Sequence, residues 1–204
     1  MLQSPIKPKS YGIDKGIIYL TQLFGQNNLD YSLLSLKGHN GIDFRTKHCD
    51  NGNAWVLASH DGVVISDKNK QSDTAGRYVK IESDEMVIDG KKCKIQTVYF
   101  HLKSCKHNEG TWVKKGQLIG VSDNTGGFST GAHLHFGLYI LWKKGSSYVL
   151  PDNGYGGAVN PMDYLIDDQV YQNGDSFFGR HFYYNGKEIK RSEIDNLIPE
   201  QYKN

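Results

Sequence analysis

Apolar and polar residues alternate along this chain in short runs, and this pattern predicts β-strands instead of long helices. Alternation with a period of two is typical of a strand with one buried face, whereas an amphipathic helix repeats its apolar positions every three to four residues. Such runs are found at Ile17–Phe24, Ile42–Arg45, Ala54–Ala58, Gly62–Ser66, Tyr78–Glu82, Lys94–His101, Gln117–Val121 and His133–Leu141. Turn residues separate them, as at Asn51-Gly52-Asn53 and Asp61-Gly62. We therefore predict an all-β or β-rich fold built on an antiparallel, sandwich-like sheet.

The pattern changes near both ends of the chain. Residues 1–16 contain Pro5 and Pro8 and predict an irregular N-terminal arm. We expect one main domain over residues 17–161 and a small C-terminal appendage over residues 162–204 that packs on the main sheet. Within the appendage we predict a short helix, a hairpin and a helical turn, at Met162–Ile166, Phe177–Gly186 and Ser192–Ile198.

Composition excludes several classes of partner. The net charge is only +2, so the lysine pairs at 91–92, 114–115 and 143–144 are interpreted as solvated loop residues, and we expect no nucleic-acid partner. The three cysteines, Cys49, Cys93 and Cys105, are odd in number and lack CxxC spacing. They predict neither a disulfide framework nor a thiolate zinc site, and free thiols are typical of a reducing compartment.

The N-terminal residues contain no apolar segment that resembles a secretory signal. No apolar run approaches the roughly 18 residues that a membrane span requires. We expect a protein that is made in the cytoplasm, has no membrane partner and, if it acts outside the cell, is released by another route.

The segment His133-Leu134-His135 carries the clearest chemical signal. On a strand, both imidazoles emerge on one face, and Leu134 and Phe136 emerge on the other. One ring could then bind a metal while the other acts on a bound substrate. A structural pair of strand histidines is the alternative.

Two further segments supply partners for this pair. His39 and Asp43 would lie about 13 Å apart on a straight strand, too far to share one ion with bonds near 2 Å. Asn40-Gly41 favours a tight turn with positive φ, which can bring the two side chains together. His101 ends the strand run Lys94–His101 and could lie over a groove. Each motif alone is a weak signal, but their occurrence together favours a metal site.

In this order, HxxxD, YFH and GAHLHF resemble the zinc metallopeptidases of the M23 (LytM/lysostaphin-like) group. Further similar segments are Thr21–Gly25, His60–Val64, Val113–Gly120, Thr125–His133 and Asn160-Pro161. The resemblance spans residues 21 to 161 and implies the lysostaphin-type, duplicated-hybrid-motif β-fold. It departs from the family pattern at Asp123, where a glycine is usual. The insert 68–77 and the loop 143–159 are expected to border the groove and to affect substrate preference.

The resemblance implies that His39, Asp43 and His135 bind one zinc ion per chain and that His101 and His133 are catalytic. Three nitrogen and oxygen ligands leave a fourth tetrahedral position for water, as catalytic zinc sites require. The two remaining histidines would share the proton transfers and oxyanion stabilisation, and we choose His133 as the general base. Other histidines (His48, His60, His107, His181) are interpreted as surface or packing residues, and Tyr11, Tyr31 and Tyr78 as structural residues that could line the groove.

The implied function is a zinc-dependent endopeptidase that hydrolyses bacterial peptidoglycan, in stem peptides or cross-bridges, by zinc-activated water. The absence of a signal and the free cysteines suggest a bacteriophage-encoded enzyme, carried on the virion beside virion proteins or released by lysis. The alternative is a non-catalytic assembly or hydrolase-activator protein that retains a zinc-binding fold. A latent enzyme, in which the N-terminal arm or Asn27-Asn28 fills the open zinc position, is a further hypothesis.

Overall fold

A computed structural model describes residues 2–6, 17–27, 30–46, 53–68, 74–165, 181–184 and 187–189. Nearly all regular structure in these ranges is β. The strands are β1 (Ile17–Gln22), β2 (Ile42–Arg45), β3 (Trp55–Leu57), β4 (Gly62–Lys68), β5 (Arg77–Glu82), β6 (Met86–Ile88), β7 (Lys91–Cys105), β8 (Trp112–Val113), β9 (Leu118–Ser122), β10 (His133–Lys144), β11 (Ser147–Val149), β12 (Ala158–Val159), β13 (His181–Tyr184) and β14 (Lys187–Ile189). The prediction of an antiparallel, β-rich fold is confirmed.

The two longest strands, β7 and β10, form the centre of the sheet. They pair antiparallel from His135 opposite Phe100 to Trp142 opposite Cys93. The main path across the sheet runs β14-β13-β1-β2-β10-β7-β5-β4-β8, with β3, β6, β9, β11 and β12 attached beside it. Strand β1 pairs antiparallel with β2 but parallel with β13.

Alternation along the central strands decides which side chains enter the core. On β10, Leu134, Phe136 and Leu138 are fully buried, and on β7 Tyr99 is as well. The intervening residues lie on the opposite face, as the period-two pattern predicts. Phe136 packs near both Phe44 of β2 and Tyr99 of β7, at ring-centroid distances of 6.3 and 5.3 Å. This core therefore fixes β2, β7 and β10 relative to one another.

The predicted strands are present with boundaries shifted by a few residues, and the short strands β6, β8, β11 and β12 were missed. The first part of the loop predicted at 143–159 is a hairpin, because β10 continues to Lys144 and pairs with β11, which ends at Val149. The predicted helix after Asn160 is a single 3-10 turn, Pro161–Asp163, capped by the Asn160 side chain. Another 3-10 turn spans Ser32–Leu34. In the described ranges, no helix has the length and apolarity needed to cross a membrane.

The chain ends are described only in part. In the predicted N-terminal arm, Leu2 and Ile6 are buried in the core, and Ile6 bridges Val56 of β3. In the predicted appendage, β13 and β14 form a hairpin whose first strand joins β1. The predicted helical turn at 192–198, with Tyr11 and His48, lies outside the described residues. The division into arm, domain and appendage stays a prediction.

Candidate metal and catalytic site

Strand register brings the predicted site residues onto one face of the sheet. Asp43 on β2 pairs with His135 on β10, and His135 pairs with Phe100 on β7. His133 lies two residues before His135 and therefore shares its face, while Leu134 between them is buried in the core. The Phe100 ring stacks on the His135 ring at a centroid distance of 5.1 Å.

His39, Asp43 and His135 form what we call the His–Asp–His cluster. His39 Nε2 lies 2.9 Å from His135 Nδ1, and Asp43 Oδ1 lies 3.1 Å from each of these nitrogens. All three residues are buried. Within the described ranges, they are the residues whose ligand atoms converge closely enough to hold one metal ion.

The bend between His39 and Asp43 differs in detail from the prediction. It does bring the two side chains together, but neither Asn40 nor Gly41 has a positive φ. Gly41 is required for another reason: a Cβ there would lie 2.6 Å from Cε1 of the His135 ring and 2.6 Å from the Phe136 carbonyl oxygen. Because a Cβ cannot approach so closely, the absence of a side chain at Gly41 lets the His135 ring fit the cluster.

The chemistry of the cluster fits a zinc ion. The carbonyl oxygen of Leu23 lies 3.1 Å from His39 Nδ1 and can only accept, so the ring carries its proton there and Nε2 offers a lone pair. Such a hydrogen bond from the distal ring nitrogen is usual for histidine metal ligands. Zinc bonds of about 2.0–2.1 Å in a tetrahedron hold ligand atoms roughly 3.3 Å apart, close to the separations observed. His135 Nε2 is buried without a hydrogen-bond partner among the described residues.

Electrostatics keep the carboxylate of the cluster charged. Burial alone would raise the pKa of Asp43, but the neighbouring His39 and His133 and the hydrogen bond from His135 outweigh it. The pKa of Asp43 is therefore held well below its usual range. Burial, with His39 and His133 nearby, also lowers the pKa of His135 despite its hydrogen bond to Asp43. A neutral imidazole and an ionised carboxylate are the forms that bind metals.

His101 is turned into the same groove by an irregularity in β7. Between the pairs Arg77–Leu102 and Val79–Tyr99, β7 contains one more residue than β5. Simple alternation from Tyr99 would direct His101 into the core, but His101 has a φ of 63°, and Leu102 is the residue buried there. A bulge of this kind re-aims a side chain, and its strained backbone is typical of functional sites. The predicted strand end at His101 is thus a bulge within a longer strand.

His101 and His133, which we call the histidine pair, face each other with ring centroids 4.6 Å apart. His101 Nδ1 donates to the Thr125 carbonyl at 2.7 Å, and His133 Nδ1 donates to the Gly131 carbonyl at 2.7 Å. Both tautomers are fixed by these carbonyls, so each Nε2 is available in the groove. His133 Nε2 lies 3.7 Å from Asp43 Oδ2. Burial, and then the nearby His133 and His135, lower the pKa of His101 to about 3.

A contact between two loops, which we call the Thr125 clasp, holds the backbone around His101. The Thr125 hydroxyl donates to the Leu102 carbonyl at 2.8 Å and accepts from the Arg77 amide at 3.1 Å. Gly76 and Gly126 both have positive φ, and a Cβ on either would lie within 2.5 Å of backbone atoms of the opposite loop. Neither loop could approach the other so closely with larger residues.

The cluster and the pair line a groove of about 520 Å³. Tyr31 and Tyr78, expected to be structural, both line it. Burial first, and then the charge of Asp43, raise the pKa of Tyr31, so its hydroxyl stays protonated. The other lining residues are Asn40 of the predicted turn, Thr74 and Ala75 of the insert 68–77, and Gln22, Leu34, Leu36, Lys80, Phe100, Phe128 and Thr130, which were not predicted to line the groove. Lys80 and Phe100 lie on the groove face of β5 and β7. Their positions in the period-two pattern of these strands could have identified them as lining residues.

Other expectations have mixed outcomes. Thr74 and Ala75 of the insert 68–77 do line the groove, whereas no residue of 143–159 does. His60 is buried and hydrogen-bonds Thr97 Oγ1 at 3.0 Å, and His107 hydrogen-bonds the Leu118 carbonyl at 3.0 Å, as packing residues do. Asp123, the position that departs from the family pattern, contacts the site through its main chain. Its amide donates to the His101 carbonyl at 2.9 Å.

Comparison with known proteins identifies the family of this chain. The sequence model of peptidase family M23 matches residues 37–151. An uncharacterised metalloprotease from Haemophilus influenzae is 38% identical over 127 residues, which are 62% of this chain and 21% of that protein. The peptidoglycan DD-endopeptidase ShyA of Vibrio cholerae is 36% identical over 102 residues, 50% of this chain and 20% of the relative. The chain thus spans about a fifth of the length of these relatives.

A solved structure is similar in fold. The catalytic domain of the antimicrobial peptidase lysostaphin from Staphylococcus simulans superposes with a TM-score of 0.51 at 25% identity. The match covers 71% of this chain and 90% of that domain. The family match includes every residue of the His–Asp–His cluster and of the histidine pair.

Proposed function

Because the chain belongs to peptidase family M23, we propose that it is a zinc-dependent endopeptidase that hydrolyses peptide bonds in bacterial peptidoglycan. The observation that carries the proposal is the convergence of His39, Asp43 and His135 within 3.1 Å of one another beside two further imidazoles. Two imidazoles and a carboxylate suit zinc, and they leave a coordination position open for catalysis.

In this proposal, His39 Nε2, Asp43 Oδ1 and His135 Nδ1 hold the ion. Bound zinc lowers the pKa of a water ligand and polarises a carbonyl group. The protein's own contribution is to keep the three ligand atoms together in a buried site. The hydrogen bond from His39 to the Leu23 carbonyl orients that ligand, and the stacking of Phe100 orients His135.

We assign proton transfer to His133. Its Nε2 can accept a proton from the attacking water and later deliver it to the leaving amine. Asp43 Oδ2, 3.7 Å away, would stabilise the imidazolium that forms in between. His101 has Nδ1–H committed to the Thr125 carbonyl, so its Nε2 can accept a hydrogen bond and orient the water or the substrate amine.

Peptidoglycan is proposed as the substrate on two grounds. The V. cholerae relative is named a peptidoglycan DD-endopeptidase, and lysostaphin is named an antimicrobial peptidase. In addition, the groove is open and lined by aromatic and small polar side chains, as an extended peptide requires. Cleavage in a stem peptide or in a cross-bridge is compatible with these features.

Digestion of purified cell walls tests this function. We expect zinc-loaded protein to release soluble fragments with new amino termini, detected by turbidity and mass spectrometry, and a chelator to stop the reaction until zinc is restored. His133→Ala should abolish release. His107→Gln, which changes a histidine outside the groove, should not. A zinc-loaded protein that is inert toward walls from diverse bacteria would instead favour the non-catalytic assembly or activator role.

We also retain the proposal of a bacteriophage origin, with the protein either on the virion or released at lysis. It rests on the three cysteines, whose odd number and lack of CxxC spacing are typical of a reducing compartment. Immunodetection in purified particles would support the virion form, and absence from particles would remove it.

A further inference from the structure

We propose that Lys80 forms a subsite for a carboxylate of the peptide substrate, so that the enzyme prefers acidic stem peptides to uncharged glycine bridges. The inference rests on the proposed function and specifies its substrate. Lys80 is half-buried and lines the same groove as the His–Asp–His cluster and the histidine pair. Apart from the histidines, it is the basic side chain among the described residues that line this groove.

Strand register defines where Lys80 lies. On β5, Val79 and Ile81 are buried in the core, so Tyr78 and Lys80 share the groove face. Lys80 pairs with Val98 on β7, and Val98 pairs with Gly137 on β10, in the row next to Phe100 and His135. Val98 is buried and Gly137 has no side chain. Lys80 is therefore the side chain of its row that reaches the groove.

Among the described residues, no carboxylate is paired with the Lys80 ammonium. Glu82, two residues along the same strand face, is engaged elsewhere: its Oε1 lies 2.6 Å from Lys94 Nζ, and its Oε2 accepts from Gln96 Nε2 at 2.8 Å. In the described part of the chain, the contact recorded for the Lys80 ammonium is the Tyr78 ring, with Nζ 5.7 Å from its centroid. The ammonium thus stays available to a ligand.

The distance from the cluster fits a substrate side chain or a neighbouring residue. Strands are about 4.8 Å apart, so β5 lies roughly 10 Å from β10 across the floor of the groove. An extended peptide advances about 3.3 Å per residue, so a carboxylate near Lys80 would lie two or three residues from the bond at the cluster, or at the end of a long side chain.

The charge of Lys80 explains why the enzyme would prefer an acidic peptide to an uncharged one. A peptide that covers Lys80 removes water from the ammonium, which is unfavourable unless the peptide supplies a hydrogen-bonding or charged partner. A carboxylate supplies a charged acceptor, whereas the interior of a glycine bridge offers only neutral peptide carbonyls, which bind the ammonium more weakly. Peptidoglycan stem peptides carry such groups on glutamate and on a diamino acid. Discrimination thus arises from rejection of the uncharged peptide as well as attraction of the acidic one.

The experiment compares cleavage of cross-linked muropeptides that differ only in amidation: both carboxylates free, the glutamate amidated, the diamino acid amidated, or both amidated. We expect kcat/KM to be about fivefold higher for the free form than for the doubly amidated form, mainly through KM. The singly amidated peptides identify which carboxylate Lys80 binds. Added salt should reduce the preference, because exposed charges are screened.

Variants make the assignment specific. Lys80→Gln should lower kcat/KM for the free peptide to the value for the doubly amidated one, mainly by raising KM, and Lys80→Arg should keep the preference. Lys106→Gln, an exposed lysine outside the groove, is the matched control and should behave as the unmodified protein. Equal cleavage of free and amidated peptides, or a preference that survives in Lys80→Gln, would overturn the subsite.

Two further outcomes separate this inference from the proposed function. Cleavage of glycine-bridged walls but not of acidic muropeptides overturns the Lys80 subsite and leaves the peptidase intact. Failure of the zinc-loaded protein to cleave any wall material overturns the proposed function, and the subsite with it.

Discussion

Two of the three residues in the His–Asp–His cluster take their positions from paired strands, whereas both rings of the histidine pair are oriented by loop carbonyls. Asp43 and His135 lie opposite each other on β2 and β10, and the core residues beneath them fix that register. His101 and His133 instead hydrogen-bond the carbonyls of Thr125 and Gly131, which belong to the segment between β9 and β10. Strand pairing is rigid, and loops are more variable.

This difference suggests a division of labour. Ligand atoms must be held to within a few tenths of an ångström, and a buried sheet supplies that accuracy. The groups that transfer protons need to adapt as the substrate changes shape, and loop carbonyls fix their tautomers while permitting such movement. Variants should therefore separate metal binding from catalysis.

Removal of Asp43 should have the largest effect, because it breaks the sheet-held part of the site. In Asp43→Ala the two imidazoles lose the anionic ligand between them, and we expect loss of bound zinc together with more than about a thousandfold loss of kcat/KM. Metal content by atomic absorption and wall digestion measure both. Asp84→Ala, an exposed aspartate, is the control. Retention of stoichiometric zinc in Asp43→Ala would contradict the ligand assignment.

Removal of His101 should impair catalysis by the histidine pair and leave the metal ligands in place. We expect His101→Ala to keep its zinc and to lose about 10²-fold in kcat, because the water or amine that His101 orients is then misplaced. The double variant His101→Ala/His133→Ala should lose far less than the product of the two single effects, since the residues act as a unit. Metal loss in His101→Ala comparable to that in Asp43→Ala would erase the distinction between cluster and pair.

Gly41→Ala tests how accurately the cluster is held. A Cβ at Gly41 would lie 2.6 Å from the His135 ring, so the ring must move away from His39 and Asp43. We expect zinc affinity to weaken about 10–100-fold, as for other changes that reorient a ligand, measured by competition with a chelating dye.

The control for that variant is Gly90→Ala. Gly90 lies in the turn before β7 with a φ of 75° and open space around it, so alanine strains the backbone there without touching the site. Its stability should fall while its zinc affinity stays unchanged. If Gly41→Ala behaved in the same way, the close approach to His135 would have no consequence for the metal.

Gly41 also illustrates what the sequence could predict. Alternation predicted the strand of His133 and His135 and the shared face of their rings, because period-two burial is a local property. The turn at Asn40-Gly41 was predicted, but its physical reason was wrong: the glycine accommodates a ring contributed by a strand more than ninety residues away, and no local pattern reports such a contact.

The same limit applies to His101 and Lys80. Local alternation predicted a strand that ends at His101, whereas the pairing of β7 with β5 produces a bulge there and a longer strand. Lys80 resembled any solvated lysine in the sequence. Its importance appears only when the partners of Glu82 and the line of the groove are known.

Thr125→Val should have the smallest effect and tests the loop-held part most finely. The change keeps the side-chain volume but removes the hydroxyl that joins the Leu102 carbonyl to the Arg77 amide. We expect kcat to fall about tenfold, with KM and zinc content unchanged, because His101 is aimed less accurately. Thr125→Ser retains the hydroxyl and should restore kcat even if its thermal stability is lower. Equal kcat in the valine and serine variants would show that the Thr125 clasp contributes only to stability.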